Sequence, residues 1–294
     1  MMEVMTTDKK RTQERWFRFG RGMFRALRGV SVGSTALAVA SLIAVIAYVL
    51  IGGAGKLSWQ LLFGAYRGDT VSILPAFVGT LELVLVSVLI AVPIGVFSAI
   101  YLVEYMNNKG KLVKIIRVAT ETLAGIPSIV YGLFGYLVFV VSFGWGYSLL
   151  GGGITLAVMI LPVIVRSTEE SLLAVPDGFR EGSYALGASK VRTIFRVVLP
   201  SAAPGIVTAM ILAVGRVVSE SAVLILTVGM VVNLVPVTPM SSGTSLALDI
   251  YYFASHGYPN EAAATAVVLL VFVVCLNLLA GGVGKLMKKG MGEN

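Results

Sequence analysis

The sequence predicts an all-α membrane protein with six transmembrane helices, and three observations carry that prediction. Apolar runs recur at 31–54, 74–103, 115–143, 149–166, 201–229 and 263–284, and a hydrocarbon core about 30 Å thick needs about 20 apolar residues per helix. Only 13% of the 294 residues are charged while 57% are hydrophobic, and mean hydropathy is +0.90; soluble domains carry about 25% charged residues. The basic residues, finally, crowd into alternate connections. A closed β-barrel is excluded, because "ALAVASLIAVIAYVLIGG" and "TAVVLLVFVVCLNLLAGG" are apolar throughout, whereas barrel strands alternate.

Residues 1–29 form a polar leader with Lys9, Lys10, Arg11, Arg15, Arg18, Arg21, Arg25 and Arg28. It ends in "WFRFGRGMFRALRG", a candidate amphipathic piece on the membrane surface. Residues 30–72 supply the first helix and an outer connection. The first apolar run is too long, and starts too late, for a cleaved signal peptide. The remaining five helices follow over 73–288, with a tail at 289–294. Lys109, Lys111, Lys114 and Arg117 fill the second connection, Arg166, Arg180, Lys190, Arg192 and Arg196 the fourth, and Lys285, Lys288 and Lys289 end the chain. The connections between carry only Lys56 and Arg67. By the positive-inside rule the chain sits in the cell membrane with both termini in the cytoplasm. The net charge of +8 therefore reads as orientation and attraction to membrane lipid, not nucleic acid.

Pro93, Pro127 and Pro162 are expected to bend spans two, three and four; for Pro127 a hinge and a close helix contact both stand. Arg166 closes the fourth span in "VRSTEE". The wet stretch "REGSYALGASKVRTIFRVVLP", 180–200, comes next. Asp177 is a candidate N-cap, Gly187 a left-handed stop, Ser189 a second N-cap, and Pro200 the first turn of the following span. Two short helices at an angle result, with Phe179, Tyr184, Leu186 and Phe195 as apolar anchors. Such a hairpin either fits a groove on another protein or rests on the bilayer.

The fifth span holds Arg216 and Glu220, four apart on one helix face, where they can pair. Ionisable groups inside a span are costly and mark function, and a guanidinium fork matches phosphate oxygens. Ser219, Ser221 and Thr227 add hydroxyls. The pair is either a pathway element or a structural ion pair. Arg166 is either an anion contact near the exit or a snorkelling residue. Glu82 receives no role, and Glu121 is expected near the cytoplasmic start of its span, where a solvated side chain costs little. The outer segment 241–260 places Tyr251, Tyr252 and Phe253 either at the membrane interface or against an extracytoplasmic partner. Cys275 is expected to be a buried structural thiol. "GAGKLS" is no phosphate-binding loop, because Leu50 and Leu57 stand where the pattern needs Gly and Ser or Thr.

The spacing Glu181, Gly187, then Val197-Val198-Leu199-Pro200 resembles the coupling loop of ABC importer membrane subunits, with Gly182 and Ser183 in place of two alanines and Val197 in place of Ile. "LAGIPSIVYGLFG", "LPVIVRSTEESLLAVP" and "GRVVSESAVLILT" resemble the phosphate-importer permeases, closest to the PstA type. The resemblance implies a type I ABC importer permease bundle whose cytoplasmic coupling helix, within 177–200, docks the ATPase through Arg180, Glu181, Ser183, Ala185, Gly187, Val197, Leu199 and Pro200. It implies a substrate pathway at Arg216 and Glu220, with Ser219 replacing the usual Gly, Ser221 the usual Thr and Val223 a Pro. Arg166 matches a further family arginine. The implied partners are a PstC-like permease, a dimer of PstB-like ATPases and a phosphate-binding protein on the outer face. No cofactor is expected in this chain; ATP and Mg would be held by the partner ATPase.

Overall fold

The computed structural model describes residues 2–64, 66, 71–106 and 110–290. Arg67, Lys109 and the last four residues lie outside them, as do the side chains of residues 2–22, 25, 26 and 288–290, where most of the predicted basic leader and Lys288 and Lys289 fall. The chain divides into two units, Met1–Ile51 and Gly52–Asn294. Among the described residues there are helices and no strands.

Helix α1 runs Met2–Gly53, so the backbone of the leader continues unbroken into the first apolar run. From Leu27 to Val45 its side chains are exposed and apolar on every face, the pattern of a helix solvated by lipid.

The second unit begins with a 3₁₀ turn, Ala54–Lys56, and α2, Trp59–Phe63, whose first turn is capped by Ser58. Helix α3 spans Leu74–Ile100 and widens into a π turn at Tyr101–Tyr105. Helix α4 is Lys111–Ala124, and α5 is Ser128–Gly135 with a π extension to Ser142. Helix α6 covers Leu149–Leu173, α7 Asp177–Ala185 and α8 Lys190–Thr193. A π turn at Ile194–Val198 joins α8 to α9, Leu199–Val218. Helices α10, Ala222–Thr227, α11, Leu246–Ser255, and α12, Pro259–Gly290, complete the unit. Helix α6 is central, packing on α3, α5 and α9. Leu83, Leu149, Leu156, Met159, Ile160, Ile164 and Leu224 form the main core.

Among the described residues five helices are long and apolar enough to cross a membrane, and a bent pair makes a sixth if its two arms form one span. The third predicted span, 115–143, is that pair: α4 and the helix from Ser128 meet at 95°. Pro127 has no N–H and drives the residue before it out of helical conformation. It therefore acts as a break, whereas Pro93 and Pro162 lie inside continuous helices.

The fifth span is also redrawn. It starts at Lys190 rather than 201 and stops at Val218 rather than 229. Pro200 lies in the first turn of α9, as expected, but α8 and a π turn lead straight into that turn, so the span has already begun. The π turn before Pro200 relieves the clash of its ring with a carbonyl four residues back. The fourth span runs on to Leu173 because its charges are paired, Glu169 with Arg117 and Glu170 with Arg166. Cys275 is exposed on α12, not buried.

Candidate functional site

The segment from Pro176 to Val198 is a hairpin of two helices. Gly187 has φ of 77°, a conformation that L side chains avoid. The Gly187 amide donates to Tyr184 O (2.9 Å) and the Ala188 amide to Ser183 O (3.1 Å), which closes a Schellman stop. Ser189 Oγ then accepts from Arg192 N at 3.5 Å, as expected of a cap. Asp177 does not cap: Pro176 holds that position, and the Asp177 carboxylate pairs instead with Arg180 at 3.2 Å. The two arms are joined by Ser183 Oγ and Thr193 Oγ1, 2.9 Å apart.

Of the predicted docking residues, Glu181, Ala185 and Pro200 are exposed while Ser183, Val197 and Leu199 are half-buried. Leu186, at the tip, is 91% exposed, and Phe179, Tyr184, Val191 and Phe195 are exposed around it. An apolar surface of this kind among charges marks an interaction site. Arg180 points the other way. Its Nε and Nη2 donate to Glu104 Oε1 (3.1 and 2.9 Å), Nη2 also to Leu172 O (3.0 Å), and Nη1 to Val175 O (2.8 Å). Arg180 is a structural residue beneath the surface rather than part of it.

The fifth span breaks at Ser219–Ser221, and the break separates the predicted pair. Arg216 lies exposed in the last turn of α9, where a cation suits the helix dipole. Glu220 follows the helix end, and its Oε1 accepts from the amides of Ala222 (3.0 Å) and Val223 (3.4 Å). The expected Arg216–Glu220 pair is not formed, and among the described residues Arg216 makes no ion pair. Ser219 Oγ donates back to Gly215 O (3.0 Å) or Arg216 O (3.2 Å), and Ser221 is half-buried at the start of α10. Thr227 is fully buried, with its hydroxyl donating to Val223 O. It packs where a Cβ on Gly135 would come within 2.8 Å of its methyl group, so it belongs to the core and not to the exposed face that carries Arg216.

Arg166 lies elsewhere, on a cavity of about 290 Å³ lined with Arg117, Glu121, Glu169 and Glu170. It bonds Glu170 at 3.0 Å and approaches Glu121 at 3.8 Å. Three carboxylates against two guanidiniums give this cavity no surplus positive charge.

Besides Glu169, buried against Arg117, two further buried carboxyls escaped sequence reasoning. Glu104 was hidden at the end of an apolar run. Asp249 is fully buried in α11, takes a hydrogen bond from Thr244 Oγ1, and leaves Oδ2 without a partner. Burial pushes its carboxyl up to about 7, against a smaller opposite pull from Thr244. Phe253, expected at the membrane interface, is also buried, while Tyr251 is exposed.

Comparison with known proteins fits this arrangement. Residues 91–292 match the family described as "Binding-protein-dependent transport system inner membrane component". The chain is 34% identical over 279 residues to a "Probable ABC transporter permease protein YqgI" of Bacillus subtilis, covering 88% of this chain and 94% of that one. It is 36% identical over 212 residues to "Phosphate transport system permease protein PstA 1" of Mycobacterium tuberculosis, covering 70% and 68%. Its fold resembles chains in the inward-facing MetNI methionine ABC transporter (TM-score 0.60, 23% identity, 71% and 93% covered). It also resembles a chain of a bacterial alginate ABC transporter (TM-score 0.64, 14% identity, 86% and 92% covered).

Proposed function

The chain belongs to the binding-protein-dependent transport system inner membrane components, and from that premise we propose that it is the permease subunit of an ATP-driven importer of inorganic phosphate. Its work is to line the translocation pathway and to dock the ATPase. The observation that carries the choice of cargo is Arg216, an exposed guanidinium without an ion pair at the break of a spanning helix. A relative of known name among phosphate permeases supports the same cargo. A guanidinium already neutralised by Glu220 would attract an anion weakly. One whose carboxylate neighbour is committed to backbone amides keeps its charge and its planar fork for phosphate oxygens. The Ser219 and Ser221 hydroxyls complete the contact, the Ser219 oxygen accepting from a protonated phosphate. Arg166 is a later contact, reached once Glu170 and Glu121 release it.

The remaining parts follow from this role. The hairpin tip around Leu186, with Glu181 and Gly187, meets the ATPase from the cytoplasm, where both chain termini lie. A PstC-like permease completes the membrane part, and a phosphate-binding protein delivers cargo to the outer face. ATP and Mg are held by a pair of PstB-like ATPases, and this chain performs no hydrolysis itself.

The importer assembled with its ATPase and binding protein, in vesicles, should take up labelled phosphate only with ATP, and unlabelled phosphate should compete better than sulfate or methionine. ATP-dependent uptake of another solute, with phosphate ignored, would favour a second reading, an importer for a different oxyanion or small solute. That reading draws on the breadth of solutes among the proteins this fold resembles.

A further inference from the structure

We propose that the π turn Tyr101–Tyr105 at the end of α3 is the clamp that positions the docking hairpin, so that the second span moves with the ATPase as one body. This rests on the reading that the hairpin docks an ATPase. Two successive residues of the turn hold the two arms. Glu104 takes both Nε and Nη2 of Arg180 on α7, at 3.1 and 2.9 Å. Tyr105 lies under the ammonium of Lys190 on α8, 4.9 Å from its ring centroid.

The grip on α7 is the stronger of the two. The Glu104 side chain is 5% exposed and that of Arg180 14%, and removing one partner of a buried pair leaves the other charge uncompensated. Arg180 also bonds the carbonyls of Leu172 and Val175, so a single side chain joins the end of α3, the end of α6 and the first arm. Below the polar contacts, Leu102 of the same turn packs in one cluster with Val175, Ile194 and Val198. The wide turn matters because it sets two neighbouring side chains against two different helices, and such turns recur where helices are built for function.

The clamp gives α3 a role that hydropathy does not announce. Thr80, toward the other end of the same helix, accepts from Leu246 N at 3.0 Å, where α11 begins. A displacement of the hairpin is thus carried by a rigid helix to the segment that opens α11, in parallel with the direct covalent route into α9.

The test uses the assembled importer in a Cys275→Ser background. One spin label is placed at Gly178→Cys, where an added side chain meets nothing within 4 Å, and another at exposed Leu85→Cys on α3. The distance between labels should stay constant between nucleotide-free and nucleotide-trapped states, and should shift and broaden in Glu104→Gln. In the same preparations Glu104→Gln should keep ATP hydrolysis and lower phosphate transported per ATP by about tenfold. Tyr105→Leu, at an exposed position, should lower the same ratio and Tyr105→Phe, which keeps the ring, should restore it. A wild-type distance that changes with nucleotide, or an unchanged ratio in both Glu104→Gln and Tyr105→Leu, overturns the clamp. Failure of the wild-type chain to retain an ATPase on purification overturns instead the docking reading beneath it.

Discussion

Glu220 gives its carboxylate to the amide of Ala222, at 3.0 Å, and not to Arg216 one turn before it. The spacing of four residues promised an ion pair on one helix face. The helix ends at Val218, so the face does not continue and the carboxylate is spent on the start of α10.

Replacing Arg216 tests the anion contact. Arg216→Gln should lower uptake at subsaturating phosphate by about tenfold or more, since a hydrogen bond to a charged group is worth about 1.5–3 kcal/mol. Arg216→Lys should recover only part of this, because it keeps the charge and loses the fork. Assembly with the ATPase should be unaffected, and uptake equal to wild type in both variants would remove Arg216 from the pathway.

Glu220 should behave as a cap. Glu220→Ala should destabilise the purified chain by about 1 kcal/mol, read as a lower thermal midpoint in detergent, while Glu220→Gln keeps an acceptor oxygen and stays near wild type. If Glu220 instead neutralised Arg216, Glu220→Gln would strengthen apparent phosphate affinity. An unchanged KM for that variant is the expected result.

Gly187→Ala should open the hairpin. A non-glycine residue in the left-handed region costs about 1–2 kcal/mol, and the strain falls on the Schellman bonds of Tyr184 and Ser183 to the following amides. The expected outcome is weaker retention of the ATPase on co-purification, with the membrane helices intact by circular dichroism.

Asp249 makes stability depend on pH. Its carboxyl, raised by burial from 3.8 to about 7, holds a proton in the folded state that the unfolded chain has lost. Stability should therefore decline as pH rises from about 4 to about 7 and level off above that. Asp249→Asn should remove this decline and exceed wild type in thermal midpoint at about pH 8. In the same region burial, then Tyr252, Tyr258 and Asp249 itself, push the phenol of Tyr66 up. Parallel midpoint curves for variant and wild type would refute the assignment.

Arg166→Gln should change uptake far less than Arg216→Gln. Its side chain is 60% exposed and tied to Glu170 at 3.0 Å, and an exposed pair contributes about 0–1 kcal/mol. Losses equal to those of Arg216→Gln would make the Arg166 cavity the principal anion site.

Much of this arrangement was legible in residue order, because lipid demands long apolar runs and helix stops demand particular residues. The hairpin could be read from its stop at Gly187 and its cap at Ser189, although the expected cap at Asp177 did not form. What stayed hidden depended on partners distant in sequence or on breaks inside apolar runs. Glu104 meets Arg180 across 76 positions, so no local pattern marks it. The 95° bend at Pro127 interrupts no hydropathy. Asp249 sits in a helix of 10 residues, too short to show which side it buries. The break after Val218 was the exception: Ser219, Glu220 and Ser221 in succession are a helix-end signal that the apolar residues on either side obscured.

The exposed tip of the hairpin bears on how the cell makes this chain. A copy without its ATPase presents Leu186, Phe179, Val191 and Phe195 to water, the kind of surface that chaperones and proteases capture. Synthesis in excess of the ATPase should then shorten the chain's half-life. Its abundance should then follow the supply of its partner, and a Leu186→Ser copy should outlast the native one when the two are expressed alone.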